Sequence, residues 1–211
     1  MPTIVGTAIN DGTSVPLPPH QVGDDIVLFV YRYASLGGGT LPTKPSAGGT
    51  VPAWVDISAA SGSSNNASRT AHFVATANNH TSGTWTSATG MIAVVLRGQT
   101  ASPIGGFAET GNTTFPATAP AVALSKTDGS STILHFVGVN LFGGTAGSFG
   151  APPAGYTAYQ GDSMVACFAK DVSTSDGAAA IAYSGTASAW RGATVEILGT
   201  LPPPLGFFAM F

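Results

Sequence analysis

The residues that most often bind metals or act as nucleophiles are few and widely spaced in this chain. They are four histidines and one cysteine: His20, His72, His80, His135 and Cys167. No two of them show the short spacing of a metal-ligand pair, and a single thiol cannot complete a thiolate site. His72 and His135 lie in apolar segments, so we expect hydrogen-bonded sheet residues, and the apolar neighbours of Cys167 predict a buried thiol. Neither a metal nor a cofactor is expected.

Acidic residues and serines also fail to form a hydrolase motif. Gly161-Asp162-Ser163 is similar to the nucleophile block of GDS-type esterases, but that family needs a histidine downstream and none follows here. Asp24 and Asp25 are adjacent and would point to opposite faces of a strand, whereas Glu109 and Glu196 have no evident partner. Asp24 is expected instead to close the turn before the first strand. A polysaccharide hydrolase with two converging carboxylates is therefore the least favoured function, and no catalytic residue is predicted.

Five aromatic residues could form a carbohydrate-binding face if several of them were exposed together. They are Trp54, Trp85, Tyr156, Tyr159 and Trp190. Trp54 and Tyr156 occupy corresponding positions in two similar segments, which favours a core role for both. The alternative glycan-stacking residues are therefore Trp85, Tyr159 and Trp190.

The composition indicates many short strands joined by turns. The chain has 211 residues with 28 glycines and 15 prolines, yet 44% of its residues are hydrophobic. Only 8% are charged and the net charge is −3, which disfavours long solvated helices and offers no basic stripe for nucleic acid. Such a surface suits packing against neighbouring subunits, or a quiet extracellular surface. The amino terminus shows no signal-peptide pattern and no apolar run is long enough for membrane insertion, so assembly in a cytoplasm is expected.

One strand pattern occurs twice, about a hundred residues apart. Ser131–Asn140 matches the strand that begins at Asp25, and Ser188–Gly199 aligns with Ser87–Gly98 without a gap. We expect an all-β, antiparallel, jelly-roll-like sandwich built from these two degenerate repeats. Its predicted parts are an N-terminal edge strand and loop (1–20), the first repeat (21–100), a crossover (101–120) and the second repeat (121–200), packed with the first as one sandwich. Two separate small sandwiches are the alternative.

The last eleven residues, 201–211, differ in kind from the repeats. A run of three prolines predicts a stiff spacer, and an apolar end follows it. The candidate anchor residues of this tail are Phe207, Phe208, Met210 and Phe211. They could bind a groove on a neighbouring subunit or pack back onto their own sandwich.

The chain resembles the jelly-roll-like β-sandwich proteins of tailed-bacteriophage virions, which include minor tail and decoration proteins. The matching segments, repeated more faintly in the second half, are Pro18-Pro19, Val22–Leu28, Pro52-Ala53-Trp54, Arg69–Ala75, Trp85 and Met91–Gly98. The resemblance implies a non-enzymatic, homo-oligomeric structural protein that contacts other virion proteins after assembly in the host cytoplasm. Similar modules in bacterial surface proteins imply the alternative, a carbohydrate-binding adhesin or receptor-binding module that contacts a host glycan.

Overall fold

The computed structural model describes residues 1–34, 40–63, 65–172 and 175–200, and within these ranges it contains strands and no helix. The first five strands are β1 (Thr3–Asn10), β2 (Asp25–Tyr33), β3 (Val55–Ser63), β4 (Asn66–Val74) and β5 (Gly90–Arg97). The others are β6 (Gln99–Asn112), β7 (Ala117–Ala119), β8 (Ser131–Asn140), β9 (Thr157–Gly161), β10 (Val165–Val172), β11 (Ala179–Ile181) and β12 (Ala189–Gly199). The predicted anchor residues Phe207, Phe208, Met210 and Phe211 lie outside the described residues.

Ten of these strands form two five-stranded sheets. The first has the order β1-β5-β2-β4-β3 and the second the order β6-β12-β8-β10-β9, with all neighbours antiparallel. The two sheets pack face to face, which confirms the predicted all-β antiparallel sandwich. β7 and β11 form a small third sheet that covers the outer face of the second sheet.

Corresponding strands build the two sheets. In chain order, β1, β2, β3, β4 and β5 occupy the same positions in the first sheet that β6, β8, β9, β10 and β12 occupy in the second. The gapless alignment of the last segments of the two repeats matches Val95 with Glu196. Val95 pairs with Ile26 and Glu196 pairs with Ile133, so Ile26 and Ile133 are also equivalent. Each repeat therefore contributes one complete sheet of the sandwich.

The sheets face each other about a pseudo-twofold axis. β1 packs on β9 and β3 on β6, β5 packs on β10 and β4 on β12, and β2 packs on β8 at the centre. Every contact thus has its reciprocal, as in a symmetric dimer fused into one chain. At the centre the equivalent residues Phe29 and Phe136 stack with their ring centroids 5.3 Å apart. Tyr31 and its equivalent Gly138 break the symmetry, because a Cβ at Gly138 would clash with the ring of Tyr31.

The strand at the centre of the first sheet is buried on both faces, as its apolar sequence predicts. Val27, Phe29 and Tyr31 point into the core between the two sheets. Ile26, Leu28 and Val30 alternate with them and point to an outer core that contains Trp54 and Trp85. Segments before β2, before β3 and after β4 therefore seal the outer face of this sheet. With the corresponding cluster on the outer face of the second sheet, the molecule has three apolar layers instead of one.

The segment between the repeats differs from its expected form. The sequence predicts a crossover over 101–120 with one short strand at Gly106–Glu109. In the structure β6 runs for 14 residues and pairs with β12 along the edge of the second sheet. Glycines and a proline inside β6 hide this strand from sequence patterns, because the partner strand and not the local propensity holds it extended.

Candidate functional site

The structure separates the aromatic residues that the sequence proposes for glycan stacking. Trp85 is fully buried and its indole N–H donates to the carbonyl of Ser82 at 3.0 Å. Trp190 is also buried, and its indole N–H donates to the carbonyl of Thr114 at 2.7 Å. Neither ring can stack on a sugar, so both predictions are wrong, and only Tyr159 is exposed, at 39%.

The predicted core and sheet residues lie where the sequence places them. Trp54 and Tyr156 are buried beneath opposite outer layers of the sandwich. His72 contacts the buried carboxylate of Asp25 through Nδ1 at 2.9 Å. Cys167 is fully buried, and that burial raises the pKa of its thiol. Among the described residues, no three side chains of the metal-ligating types come together.

Two carboxylates have partners that the sequence does not reveal. Glu196 is fully buried on β12 and accepts hydrogen bonds from the backbone N–H groups of residues 106, 125 and 126 and from the hydroxyl of Ser131. Glu109 accepts from the hydroxyl of Ser58 and lies 3.7 Å from Arg191. None of these partners is a second carboxylate, and both residues instead join separate parts of the chain.

Asp24 closes the turn before β2, as predicted. Its Oδ2 accepts from the backbone N–H of Gln21 at 2.9 Å, and both of its oxygens accept from the Arg97 guanidinium at 2.8 Å. The bidentate Arg97 pair, together with the turn hydrogen bond, holds the pKa of Asp24 below its ordinary value. This residue fixes the entry into the central strand.

One pair of carboxyl groups does converge, but it does not suit glycoside hydrolysis. Asp11 and Asp162 are neighbours, and burial together with this neighbouring carboxyl raises the pKa of Asp11 to about 6. Oδ1 of Asp162 also accepts from the backbone N–H groups of Met164 and Val165, so this residue caps the turn into β10. The GDS-like block is therefore part of a turn.

A buried polar network in the second half is absent from the sequence predictions. His135 Nε2 lies 2.8 Å from Oδ2 of Asp176, Lys170 Nζ lies 2.6 Å from Oδ1, and the Tyr156 hydroxyl donates to the same carboxylate. Burial alone would raise the pKa of Asp176, but the hydrogen bonds from His135, Lys170 and Tyr156 lower it to about 2. Lys170 also lies over the Tyr156 ring at 4.4 Å. The registers match Lys170 with Phe73, so this network replaces an apolar contact of the first half.

An apolar groove lies where the edges β3 and β6 of the two sheets meet, and we call it the β3–β6 groove. Its volume is about 610 Å³. The residues that line it come from β3 and β4, from the loops beside them, and from the start of β6: Pro52, Ala53, Val55, His72, Phe73, Val74, Thr76, His80, Ala101, Ser102, Pro103 and Ile104. Val55 is 55% exposed and Val74 is 39% exposed, so apolar surface faces solvent at the mouth of this groove.

The opposite pair of edges forms the pseudo-symmetric counterpart, which we call the β1–β9 groove. It has a volume of about 280 Å³ and is lined mainly by β1, β9 and β10. Its residues are Pro2, Thr3, Ile4, Thr132, Gly155, Thr157, Tyr159, Ala169, Lys170 and Asp171. The duplicated fold therefore has two corresponding grooves of different chemistry, one apolar and one polar.

Comparisons with known proteins found nothing similar to this chain. No protein-family model, no curated protein and no solved structure matched it. In the part of the chain that the structure describes, no helix has the length and apolar character needed to cross a membrane.

Proposed function

We propose that this protein is a non-enzymatic structural subunit that associates with further copies of itself. The apolar tail of one copy, residues 201–211, binds in the β3–β6 groove of another copy. The observation that supports this proposal most is the groove itself, which leaves the aliphatic side chains of Val55 and Val74 exposed at its mouth. An apolar patch that is exposed to solvent is typical of a surface that binds another protein.

The described end of the chain lies near this groove. Gly199 pairs with Gln99, and the carbonyl of Thr200 accepts a hydrogen bond from the amino terminus at 2.9 Å. Gln99 is two residues before Ala101, the first β6 residue of the groove. The described chain therefore ends between the start of β6, which borders the β3–β6 groove, and Pro2, which borders the β1–β9 groove.

The length and sequence of the tail favour a groove on a second copy. Eleven residues span at most about 36 Å when extended, which is enough to reach an adjacent molecule. Pro202, Pro203 and Pro204 predict a stiff first segment, which opposes a sharp return to the groove beside the start of the tail. The tail has no charged side chain, and the groove that would receive it is mostly apolar.

The expected affinity is modest. Burying each of Phe207, Phe208, Met210 and Phe211 contributes about 1.5–3 kcal/mol, and association costs about 4–15 kcal/mol in lost freedom. Self-association is therefore expected at high protein concentration and would be reinforced by repetition in a symmetric assembly. A bacteriophage virion is the setting that the sequence resemblance suggests, with other virion proteins as further partners after assembly in the host cytoplasm.

Sedimentation velocity of the full chain over about 10–500 µM tests this proposal. The unmodified protein should show oligomers at the upper end of this range. A double substitution in the tail, Phe208→Asp with Phe211→Asp, and a groove substitution, Val74→Asp, should each leave a monomer. Val22→Asp is the matched control, because Val22 is 67% exposed and lies outside the groove.

Circular dichroism must first show that each variant keeps its strand content. A full chain that stays monomeric throughout the concentration range overturns the proposal. Oligomers that persist in both the tail variant and the groove variant overturn it as well, because the contact would then lie elsewhere on the surface.

A further inference from the structure

Tyr159 is exposed at a position where the other repeat buries an aliphatic side chain. β3 and β9 have a register shift at the same place, after Asp56 in one repeat and after Ala158 in the other. This matches Tyr159 with Ile57, which is 8% exposed and packs in the central core. The fold accepts an aliphatic core residue here, so the exposed aromatic ring is not a requirement of the sandwich.

Bulges of this kind turn a side chain away from the regular alternation of a strand and are common beside binding sites. The hydroxyl of Thr7 on β1 donates to the carbonyl of Tyr159 at 3.3 Å, which ties this part of β9 to the opposite sheet. The ring therefore stands at the β1–β9 groove on a backbone held from both sheets.

Polar side chains in the groove are held in place. Thr132, which is 4% exposed, donates its hydroxyl to Oδ1 of Asp171 at 2.7 Å and so orients this exposed carboxylate. Lys170 is fixed by Asp176 and by its position over the Tyr156 ring. The charge of Lys170 is thereby compensated from within, which leaves the carboxylate of Asp171 as the acceptor that faces the groove.

The first repeat shows that these polar residues are not needed for folding. The registers match Asp171 with Val74 and Thr157 with Val55, and both valines line the apolar β3–β6 groove. Two corresponding positions are thus apolar in the β3–β6 groove and polar in the β1–β9 groove. In the β1–β9 groove they lie near the exposed ring of Tyr159.

We propose that the β1–β9 groove binds one hexose unit of a neutral saccharide. The apolar C–H face of the sugar stacks on the Tyr159 ring, and sugar hydroxyls donate to the carboxylate of Asp171 and bond to the hydroxyl of Thr157. A volume of about 280 Å³ is at the small end of ligand sites and fits a single ring. The negative charge of Asp171 disfavours acidic sugars. This site is separate from the self-association groove, so either proposal can fail without the other.

Saturation-transfer NMR and titration calorimetry with four named probes test the site. Maltohexaose, cellohexaose and mannohexaose are the neutral probes, and hexagalacturonate is the acidic one. At least one neutral probe should bind with a dissociation constant of about 0.1–5 mM, and the acidic probe should bind more weakly. Tyr159→Ala and Asp171→Asn should each weaken that binding at least about fivefold, whereas Tyr159→Phe should keep it because the ring remains.

Phe107→Ala is the matched control, because Phe107 is 50% exposed on β6 and does not line the groove. Its binding should equal that of the unmodified protein. The proposal is overturned if no neutral probe binds at about 10 mM, or if Tyr159→Ala binds as well as the unmodified protein. An equal loss of saccharide affinity in Phe107→Ala and Tyr159→Ala overturns the proposal too, because any exposed aromatic residue would then bind the sugar nonspecifically.

Discussion

Replacement of Glu196 by glutamine should strongly destabilise the sandwich, although the two side chains have nearly the same shape. One oxygen of Glu196 accepts from the N–H groups of Gly106 and Ser125 at 2.8 and 2.6 Å. The other accepts from the N–H of Lys126 at 3.2 Å and from the hydroxyl of Ser131 at 2.7 Å. A glutamine amide N–H₂ in place of either oxygen faces a backbone donor that has no other acceptor.

The magnitude follows from these contacts. A buried donor left without a partner costs about 1–3 kcal/mol, and the remaining hydrogen bonds each lose part of their charge-assisted strength. Because the amide is easier to bury than the carboxylate, the net loss expected at pH 7 is about 2–3 kcal/mol. For a chain of this size this corresponds to a melting temperature lower by about 5–10 °C.

The loss should also depend on pH. Burial alone would raise the pKa of Glu196, but the four hydrogen bonds to its ionised form lower it below the ordinary value of 4.5. A carboxyl with a lowered pKa in the folded state contributes stability above its unfolded pKa and loses it as the pH falls through the folded pKa. The difference between the unmodified protein and Glu196→Gln should therefore be full at pH 7 and shrink below pH 4.5.

Urea unfolding followed by the fluorescence of the buried tryptophans, at pH 7 and again at pH 3.5, measures both effects. Glu109→Gln is the matched control, because the Glu109 side chain is 23% exposed and its ion pair with Arg191 is long, so its loss should stay below about 1 kcal/mol. A cost for Glu196→Gln under about 0.5 kcal/mol at pH 7, or an equal cost at both pH values, would refute the reasoning.

Three further predictions concern other parts of the core. Gly138→Ala should lower the free energy of unfolding in urea by about 1–3 kcal/mol, because the new Cβ would meet the ring of Tyr31. In the Tyr31→Ala background the same glycine substitution should cost little, and additive costs of the two substitutions would contradict this. Cys167 should react with a thiol reagent only at the rate of unfolding, because it is fully buried and its pKa is raised; fast reaction in the native protein would contradict its burial. Asp11→Asn should stabilise the protein at pH 7 and have no effect at pH 3.5. The pKa of Asp11 is raised from 3.8 to about 6 beside Asp162, so its ionisation costs stability progressively above pH 3.8 and fully above about pH 6; an equal urea midpoint at pH 7 would contradict this.

Local sequence patterns predict the strands whose own side chains decide their conformation. The strand Asp25–Tyr33 is β-branched and aromatic on both faces, and such a segment is stable only at the centre of a sheet covered on both sides. The same holds for the burial of Cys167 within β10 and of Trp54 and Tyr156 directly before β3 and β9, because apolar side chains are more stable in the core than in water. Asp24 is equally local, since its turn hydrogen bond reaches back only three residues.

Long-range pairing decides what the sequence patterns miss. β6 is extended because β12 pairs with it, and Glu196 is stable because residues 106, 125 and 126 come to it from elsewhere in the chain. Tyr159 is exposed although its counterpart Ile57, at the same register shift, is buried, and the burial of Trp85 and Trp190 follows from segments that cover the outer faces.

By itself the sequence determines an all-β sandwich, because hydrophobic alternation, turn residues and low charge act within each strand and turn. It also indicates a duplication, since two segments align without a gap. Only the tertiary structure decides that each repeat forms a whole sheet, that the sheets face each other about a pseudo-twofold axis, and that their edges leave one apolar and one polar groove. The physical reason is that a groove is formed by residues far apart in the chain, whose distances no local pattern contains.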